Sequence, residues 1–260
     1  MKKIDKPILI TGHARAGTTL LAALLNWHSM VGEKTKSMLE CVNVNVFINK
    51  LLDIKFHRKY SDYLEKRNLW FRYFSWGNIY MKMGKEMINE TKKFSEEEIN
   101  DIVDNLTQRI NQNRVLIKNP SLVFALKPLV RLFPNMKILV IHRGLKQVIN
   151  SWGAEHQINS NFFSRENIIT LTKKWMETEE YIKKLRKEVC FLDIYYEDLI
   201  KETVKCLEKI LLYCDLPIES YIYQVKITNR ENWSNRLQNH HLNYIIEGIY
   251  KHFKQDEKIN

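Results

Sequence analysis

Cysteine is scarce in this 260-residue chain, and long hydrophobic runs are missing. Its four cysteines include no Cys-x-x-Cys pair, so zinc and dithiol-redox sites with that spacing are not expected. Their number and spacing do not suggest a disulfide framework, which favours a reducing compartment. The apolar run at 8–10 is too short for a signal peptide, and no stretch reaches the roughly 20 apolar residues of a membrane span. We therefore expect a cytoplasmic protein with neither a metal site nor a membrane span.

Acidic residues are too few to balance the basic ones. The 41 Lys and Arg against 30 Asp and Glu give a net charge of +11. Such an excess favours anionic partners such as nucleotides, nucleic acid or acidic glycans, although a basic solvated surface gives the same count. The chain is long enough to bury a core, and no repeat or low-complexity linker divides it. We predict one domain over residues 1–260.

Short apolar runs rich in Ile, Leu and Val predict four strands, at residues 7–11, 114–118, 137–142 and, more weakly, 189–195. Helical periodicity or a capping box predicts helices at 18–27, 95–111, 167–187 and 203–214. Continuous apolar strands that alternate with helices are typical of a parallel sheet covered on both faces. The sequence therefore predicts an α/β three-layer sandwich with a central parallel sheet. An aromatic and basic insertion at about 45–110 follows the first strand and helix; it either forms the acceptor side of the domain or packs as helical core.

A glycine-bearing loop joins the first strand to the first helix, with the sequence Gly12-His13-Ala14-Arg15-Ala16-Gly17-Thr18-Thr19. Backbone N–H groups at a helix start have no internal partner, and together with the helix dipole they make an anion site. Gly12 and Gly17 permit a tight turn and close backbone approach. Their spacing matches a Walker A loop, but Thr18 stands where that loop has its lysine, which disfavours ATP chemistry.

With Arg15 two places before Gly17, the loop resembles the 5′-phosphosulfate loop of sulfotransferases that use 3′-phosphoadenosine 5′-phosphosulfate (PAPS). The loop of that family reads Lys/Arg-Ser-Gly-Thr-Thr. The resemblance implies a P-loop NTPase-like fold, PAPS as co-substrate and no metal. It assigns donor binding to Gly12, Arg15, Ala16, Gly17, Thr18 and Thr19. Ala16 replaces the usual serine, so weaker donor binding without loss of function is expected.

Two further segments carry the same resemblance, which extends from Pro7 to about Arg236. Arg143 ends the third strand, and Ser151 lies about two turns into the next helix, as in the family's 3′-phosphate site. Lys118, at the end of the second strand, resembles the lysine that stabilises the transition state in the tyrosylprotein sulfotransferase branch. The resemblance thus implies catalytic roles for Lys118 and Arg15.

Later segments resemble the family more weakly. Residues 195–199, Tyr-Tyr-Glu-Asp-Leu, are similar to a Y-E-D-L segment that we interpret as structural. Residues 229–236 are similar to the segment that closes over the 3′-phosphate side of the nucleotide. There Arg230, Trp233 and Arg236 are candidates for donor binding.

An acceptor hydroxyl also needs a general base. Glu40 precedes an apolar stretch, as in family members, and Glu33 has the Gly-Glu context of the tyrosylprotein branch. Neither matches the family spacing fully, so both stay open, with Glu40 slightly favoured. Three histidines, His13, His28 and His142, are alternatives for which a structural role is the simpler interpretation.

Three other functions stay open beside the sulfotransferase. A P-loop kinase would use ATP and Mg²⁺, but the lysine after Gly17 is missing. A nucleic-acid or glycan-binding protein would use its positive surface and show steep salt dependence. A degenerate sulfotransferase would bind PAPS without turnover. We predict an active PAPS-dependent sulfotransferase with a small-molecule, glycan or peptide acceptor and no nucleic-acid partner.

Overall fold

Four parallel strands form one sheet in the computed structural model, which describes residues 6–31, 114–155, 165–225 and 227. The strands are β1 (Ile8–Gly12), β2 (Leu116–Lys118), β3 (Lys137–His142) and β4 (Leu192–Tyr195). Their order in the sheet is β2-β1-β3-β4. The central residue Leu9 is in register with Ile117 on one side and Ile138 on the other. The predicted parallel sheet is confirmed.

Helices follow each strand. They are α1 (Thr18–Leu25), α2 (Leu126–Leu132), α3 (Leu145–Glu155), α4 (Arg165–Leu185), α5 (Tyr196–Lys201) and α6 (Thr203–Tyr213), with 3₁₀ turns at Pro120–Ala125 and Ser220–Tyr223. The helices predicted at 18–27, 167–187 and 203–214 are found with bounds within two residues. The predicted helix at 95–111 and the insertion at 45–110 lie outside the described residues. None of the described helices has the length and apolar character of a membrane span.

The sheet is covered on both faces because side chains alternate along each strand. Ile8 and Ile10 pack in one apolar layer with residues of α1 and α6, such as Leu21 and Leu211. Leu9 faces the opposite layer, which contains residues of α2 and α4. All five residues of β1 are buried. The three-layer sandwich predicted from the apolar runs is therefore confirmed.

The winding of the chain reverses at β1. After β1 and α1 the chain forms β2, which lies on one side of β1. It then crosses over to form β3, which lies on the other side of β1. Helix α1 lies in the Ile8 layer, whereas α4, which follows β3, packs in the Leu9 layer. Ligands of open α/β sheets bind beyond the carboxyl ends of the strands at such a switch point. The fold thus places the loops after Gly12 and His142 at the position where a ligand is expected.

Glycine is required where β1 ends. Gly12 has φ 134°, which L side chains rarely adopt, and a Cβ built there would lie 2.3 Å from the carbonyl oxygen of Ile141. The obstruction is backbone of the neighbouring strand β3 and cannot move aside as a flexible side chain would. The close approach of β1 to β3 at their carboxyl ends depends on this residue.

Replacing Gly12 with alanine is expected to lower the free energy of unfolding by at least about 2 kcal/mol, because strain and the clash with Ile141 act together. Urea unfolding measures the change. Gly144→Ala is the matched control, since the Cβ there meets only the flexible end of the Gln147 side chain. Equal stability of Gly12→Ala and Gly144→Ala would contradict the close approach.

Candidate functional site

The switch-point crevice brings together three of the residues predicted to bind the donor. Arg143 Nη1 donates a hydrogen bond of 2.9 Å to the carbonyl oxygen of Arg15. Arg15 Nε donates one of 3.2 Å to Ser151 Oγ. The loop after β1, the end of β3 and helix α3 therefore meet around two guanidinium groups and one hydroxyl.

Tyr196, at the start of α5, forms a wall between the two loops. The Arg143 guanidinium lies 3.9 Å from the centre of its ring, a cation–π contact. A Cβ on Gly17, whose φ is 105°, would come within 2.5 Å of Tyr196 Cδ2. The next residue, Glu197, accepts the Gly144 N–H at 3.0 Å. The segment interpreted from sequence as structural thus also shapes the site, which its family resemblance could have indicated.

Trp175, on α4, forms hydrogen bonds with the loop after β1 and with the loop after β3. Its Nε1–H donates to the carbonyl oxygen of Arg143 at 3.0 Å, and its own carbonyl oxygen lies 2.9 Å from His13 Nε2. The two rings stack with centroids 6.0 Å apart. Burial lowers the pKa of His13, although the bond to Trp175 opposes the effect, so the ring is neutral and donates from Nε2. The sequence contains no local signal for Trp175, since a tryptophan in a periodic helix reads as core.

The crevice is cationic. Burial lowers the pKa of Arg143, and nearby Arg15 lowers it further, whereas Tyr196 and Glu197 raise it. A guanidinium stays protonated under all ordinary conditions. Two such groups held close together repel each other, and an anion placed between them would relieve the repulsion.

Lys118 reaches the N-terminus of α1. Its Nζ lies 3.4 Å from the hydroxyl of Thr19, an exposed residue in the first turn of the helix. The end of β2 is held against β1 by two hydrogen bonds, from Asn119 N–H to the Ile10 carbonyl at 3.1 Å and from Thr11 Oγ1 to the Pro120 carbonyl at 2.9 Å. A cationic side chain is thus positioned beside helical N–H groups that favour an anion.

The remaining loop residues differ in exposure. Thr18 is buried, and Leu21 N–H donates to the Gly17 carbonyl at 3.0 Å, which closes the first turn of α1. Ala16 is fully buried and packs in the apolar layer that includes Ile10. The missing hydroxyl at position 16 therefore concerns a position shielded from solvent, and its effect on donor binding stays a prediction.

Behind Arg143, His142 lies between two carboxylates. Its Nδ1 is 3.0 Å from a Glu179 oxygen, and its Nε2 is 2.8 Å from Asp193 Oδ1. Arg186 also binds Asp193 through both terminal nitrogens, and the His142 ring stacks on Tyr195. Burial lowers the pKa of His142, but the hydrogen bonds and charges of Glu179 and Asp193 outweigh it, so the pKa is raised. His142 is therefore a structural cation.

A family model described as the sulfotransferase family matches residues 7–220. The chain belongs to this family. No match was found among curated proteins. The family predicted from the loop motifs is confirmed, and the matched segment contains the whole Arg15, Ser151 and Arg143 cluster of the sulfotransferase.

Solved sulfotransferases share its fold. STF1 of Mycobacterium tuberculosis H37Rv has a TM-score of 0.51 and 17% identity, covering 86% of this chain and 71% of that one. STF9 of Mycobacterium avium has a TM-score of 0.53 and 12% identity, covering 98% and 77%. The sulfotransferase domain from the curacin biosynthetic pathway has a TM-score of 0.50 and 18% identity, covering 88% and 80%. The predicted P-loop-like α/β fold is confirmed.

Several predicted site residues lie outside the described part of this sulfotransferase. They are Glu33, Glu40, Arg230, Trp233 and Arg236. Of the three histidines considered as bases, His28 bonds to the Pro217 carbonyl through Nε2 and accepts the Met30 N–H at Nδ1, while His13 and His142 are engaged as described above. These contacts support structural roles for all three. Among the described residues, no group of three His, Cys, Asp or Glu side chains could hold a metal ion.

Replacing His142 with Gln should destabilise the protein in a pH-dependent way. A raised folded-state pKa gives stability that is fully present below the unfolded pKa, about 6.5, and is lost as pH rises through the folded value. The stability gap between wild type and His142→Gln should therefore be widest near pH 6 and shrink by about pH 9. Urea unfolding across this range measures it.

Glu179→Gln is the control for the pH effect. It removes one of the two carboxylates that raise the pKa of His142, so this variant should lose the stability due to the charged ring at a lower pH than wild type does. The charged groups that face His142 are the half-buried carboxylates of Glu179 and Asp193, with the Arg186 guanidinium bound to Asp193 and the neutral His13 ring nearby. If the difference in stability between wild type and His142→Gln does not change with pH, the His142 ring is uncharged in the folded protein.

Proposed function

We propose that this sulfotransferase transfers the sulfuryl group of PAPS to a hydroxyl or amine acceptor by in-line displacement. The Arg15, Ser151 and Arg143 cluster beside the N-terminus of α1 is the observation that carries the proposal. A cationic crevice next to a helical anion site suits a nucleotide with two separate anionic groups. A cytoplasmic location is part of the proposal and rests on the sequence.

The donor would lie across the carboxyl edge of the sheet. Its 5′-phosphosulfate would accept hydrogen bonds from the backbone after Gly17 and from the Thr19 hydroxyl. Its 3′-phosphate would lie against Arg143 and Ser151, the two residues that resemble the family's 3′-phosphate site. Gly17 supports this arrangement because it leaves room for Tyr196, over which Arg143 is held.

The reaction forms a bond from the acceptor oxygen or nitrogen to sulfur and breaks the bond from sulfur to the bridging oxygen of the phosphosulfate. Adenosine 3′,5′-bisphosphate leaves with the bonding electrons, and a general base takes the acceptor proton. Negative charge grows on the bridging oxygen, where Lys118 can stabilise it from beside Thr19. Glu40 and Glu33 remain the proposed bases.

Adenosine 3′,5′-bisphosphate should stabilise the protein against heat, and ATP with Mg²⁺ should not. At 100 times its dissociation constant the ligand adds about 2.7 kcal/mol. Arg143→Ala should abolish the shift, whereas Lys205→Ala, which removes an exposed charge from α6, should retain it. A shift with ATP and Mg²⁺ alone would indicate a kinase, and no shift with either nucleotide would indicate a binding protein.

Lys118→Met should slow the chemical step without weakening the binding of the nucleotide in the ground state. With water as acceptor, the release of sulfate from PAPS in single turnovers should fall roughly 100-fold. Affinity for adenosine 3′,5′-bisphosphate should change little, because that product lacks the sulfuryl group. Lys118→Arg, which retains the positive charge, is the control and should recover part of the rate. An equal loss of rate and of bisphosphate affinity would make Lys118 a ground-state binding residue instead.

A further inference from the structure

Three hydrogen bonds join the two loops beside the crevice to helix α4, and together they close a cycle. Arg143 Nη1 donates to the carbonyl oxygen of Arg15 at 2.9 Å. The carbonyl oxygen of Arg143 accepts the Trp175 indole N–H at 3.0 Å, and the carbonyl oxygen of Trp175 accepts the N–H of His13 Nε2 at 2.9 Å. Because His13 lies two residues before Arg15, the backbone of the loop after β1 completes the cycle. We call these contacts the cyclic network.

Each bond of the cyclic network runs from a side-chain donor to a main-chain acceptor. The network therefore fixes the course of the backbone in both loops. Its aromatic members also pack, since the rings of His13 and Trp175 are stacked. Trp175 and Ala14 further pack against the apolar residues of α3. The loop after β1, the end of β3 and α3 thus share one anchor on α4.

The backbone at Arg15 depends on such support. Its φ is 70°, in the left-handed region that non-glycine residues seldom adopt. Strained conformations of this kind persist only where the surrounding contacts over-determine them. Arg143 holds the carbonyl oxygen of Arg15, and Trp175 holds His13, two residues earlier. The cyclic network therefore restrains the chain at the strained residue and just before it.

His13 takes part as a neutral ring. Burial lowers its pKa, so it donates from Nε2 without adding charge to a crevice that already holds two guanidinium groups. A neutral amide can make the same hydrogen bond, whereas an aliphatic side chain cannot. This difference allows the hydrogen bond to be tested separately from the packing of the ring.

We propose that His13 and Trp175 are positioning residues of the donor site, which hold Arg15 and Arg143 in one arrangement through the cyclic network. This inference rests on the proposed function, since it assumes that a nucleotide spans the loops after β1 and β3. Neither residue needs to contact the nucleotide. Their effect is to fix the groups that do so before the nucleotide arrives, which removes the cost of ordering them on binding.

The affinity for adenosine 3′,5′-bisphosphate, measured by calorimetry, tests the proposal. Trp175→Phe retains an aromatic ring and removes the indole N–H, and His13→Leu removes the donor to Trp175. Each should weaken binding roughly 3- to 10-fold, the effect of one lost hydrogen bond. His13→Gln, which retains a neutral N–H donor, should recover part of the affinity.

A double-mutant cycle distinguishes positioning from two separate structural effects. Breaking either bond opens the cyclic network, so the His13→Leu, Trp175→Phe double variant should bind about as weakly as the weaker single variant. Independent contacts would instead give losses that multiply. Tyr181→Phe is the matched control, because it removes another hydrogen bond from α4, to the carbonyl oxygen of Phe124 in the Leu9 layer. This control should bind the bisphosphate as wild type does.

Urea unfolding without nucleotide checks that each variant is folded. Trp175→Phe decides the matter if His13→Leu does not fold. If Trp175→Phe lowers stability but binds the bisphosphate as tightly as wild type, or if the two losses multiply, the inference is overturned while the sulfotransferase function stands. If wild type itself does not bind adenosine 3′,5′-bisphosphate, the proposed function fails and the inference fails with it.

Discussion

The hydrogen bond from Arg143 to the Arg15 carbonyl joins the ends of two adjacent parallel strands, β1 and β3. The same arginine lies over Tyr196, and its own carbonyl accepts the Trp175 indole N–H. One residue therefore connects the loop after β1, the end of β3, the start of α5 and the middle of α4. Because these contacts fix the guanidinium in advance, a bound anion need not organise it, which is the form of electrostatic preorganisation that enzymes use.

Buried charge continues behind this contact. His142 is flanked by Glu179 and Asp193, and Arg186 completes the balance around Asp193. A buried ionised group is tolerated only when it is paired and hydrogen bonded. The network meets that condition and anchors the residue directly before Arg143. The position of the site cation Arg143 thus depends on the contacts of the residue before it, His142, with Glu179 and Asp193.

The sheet could be predicted from the sequence because strands that are buried on both faces are continuous apolar runs. The prediction failed at residues 189–191 because Val189 N–H still bonds to the Leu185 carbonyl at the end of α4. The loop after β1 was recognisable from local glycine and arginine spacing. Trp175 was not, since it acts through main-chain atoms distant in sequence. The direction of the Arg15 side chain was also unreadable, because a motif gives the position of a residue and not its partners.

The pairing of β1 sets the order of events during biosynthesis. Of the four described strands β1 is synthesised before the others, yet its residue Ile8 pairs with Leu116 and Lys137. At roughly 5–20 residues per second, translation reaches β3 on the order of ten seconds after β1. Until β2 emerges, shortly before β3, five residues that end up wholly buried have neither neighbouring strand to pair with. The nascent chain therefore presents an unpaired apolar strand for most of that interval, and the loop after β1 acquires its contacts with Arg143 only when β3 arrives.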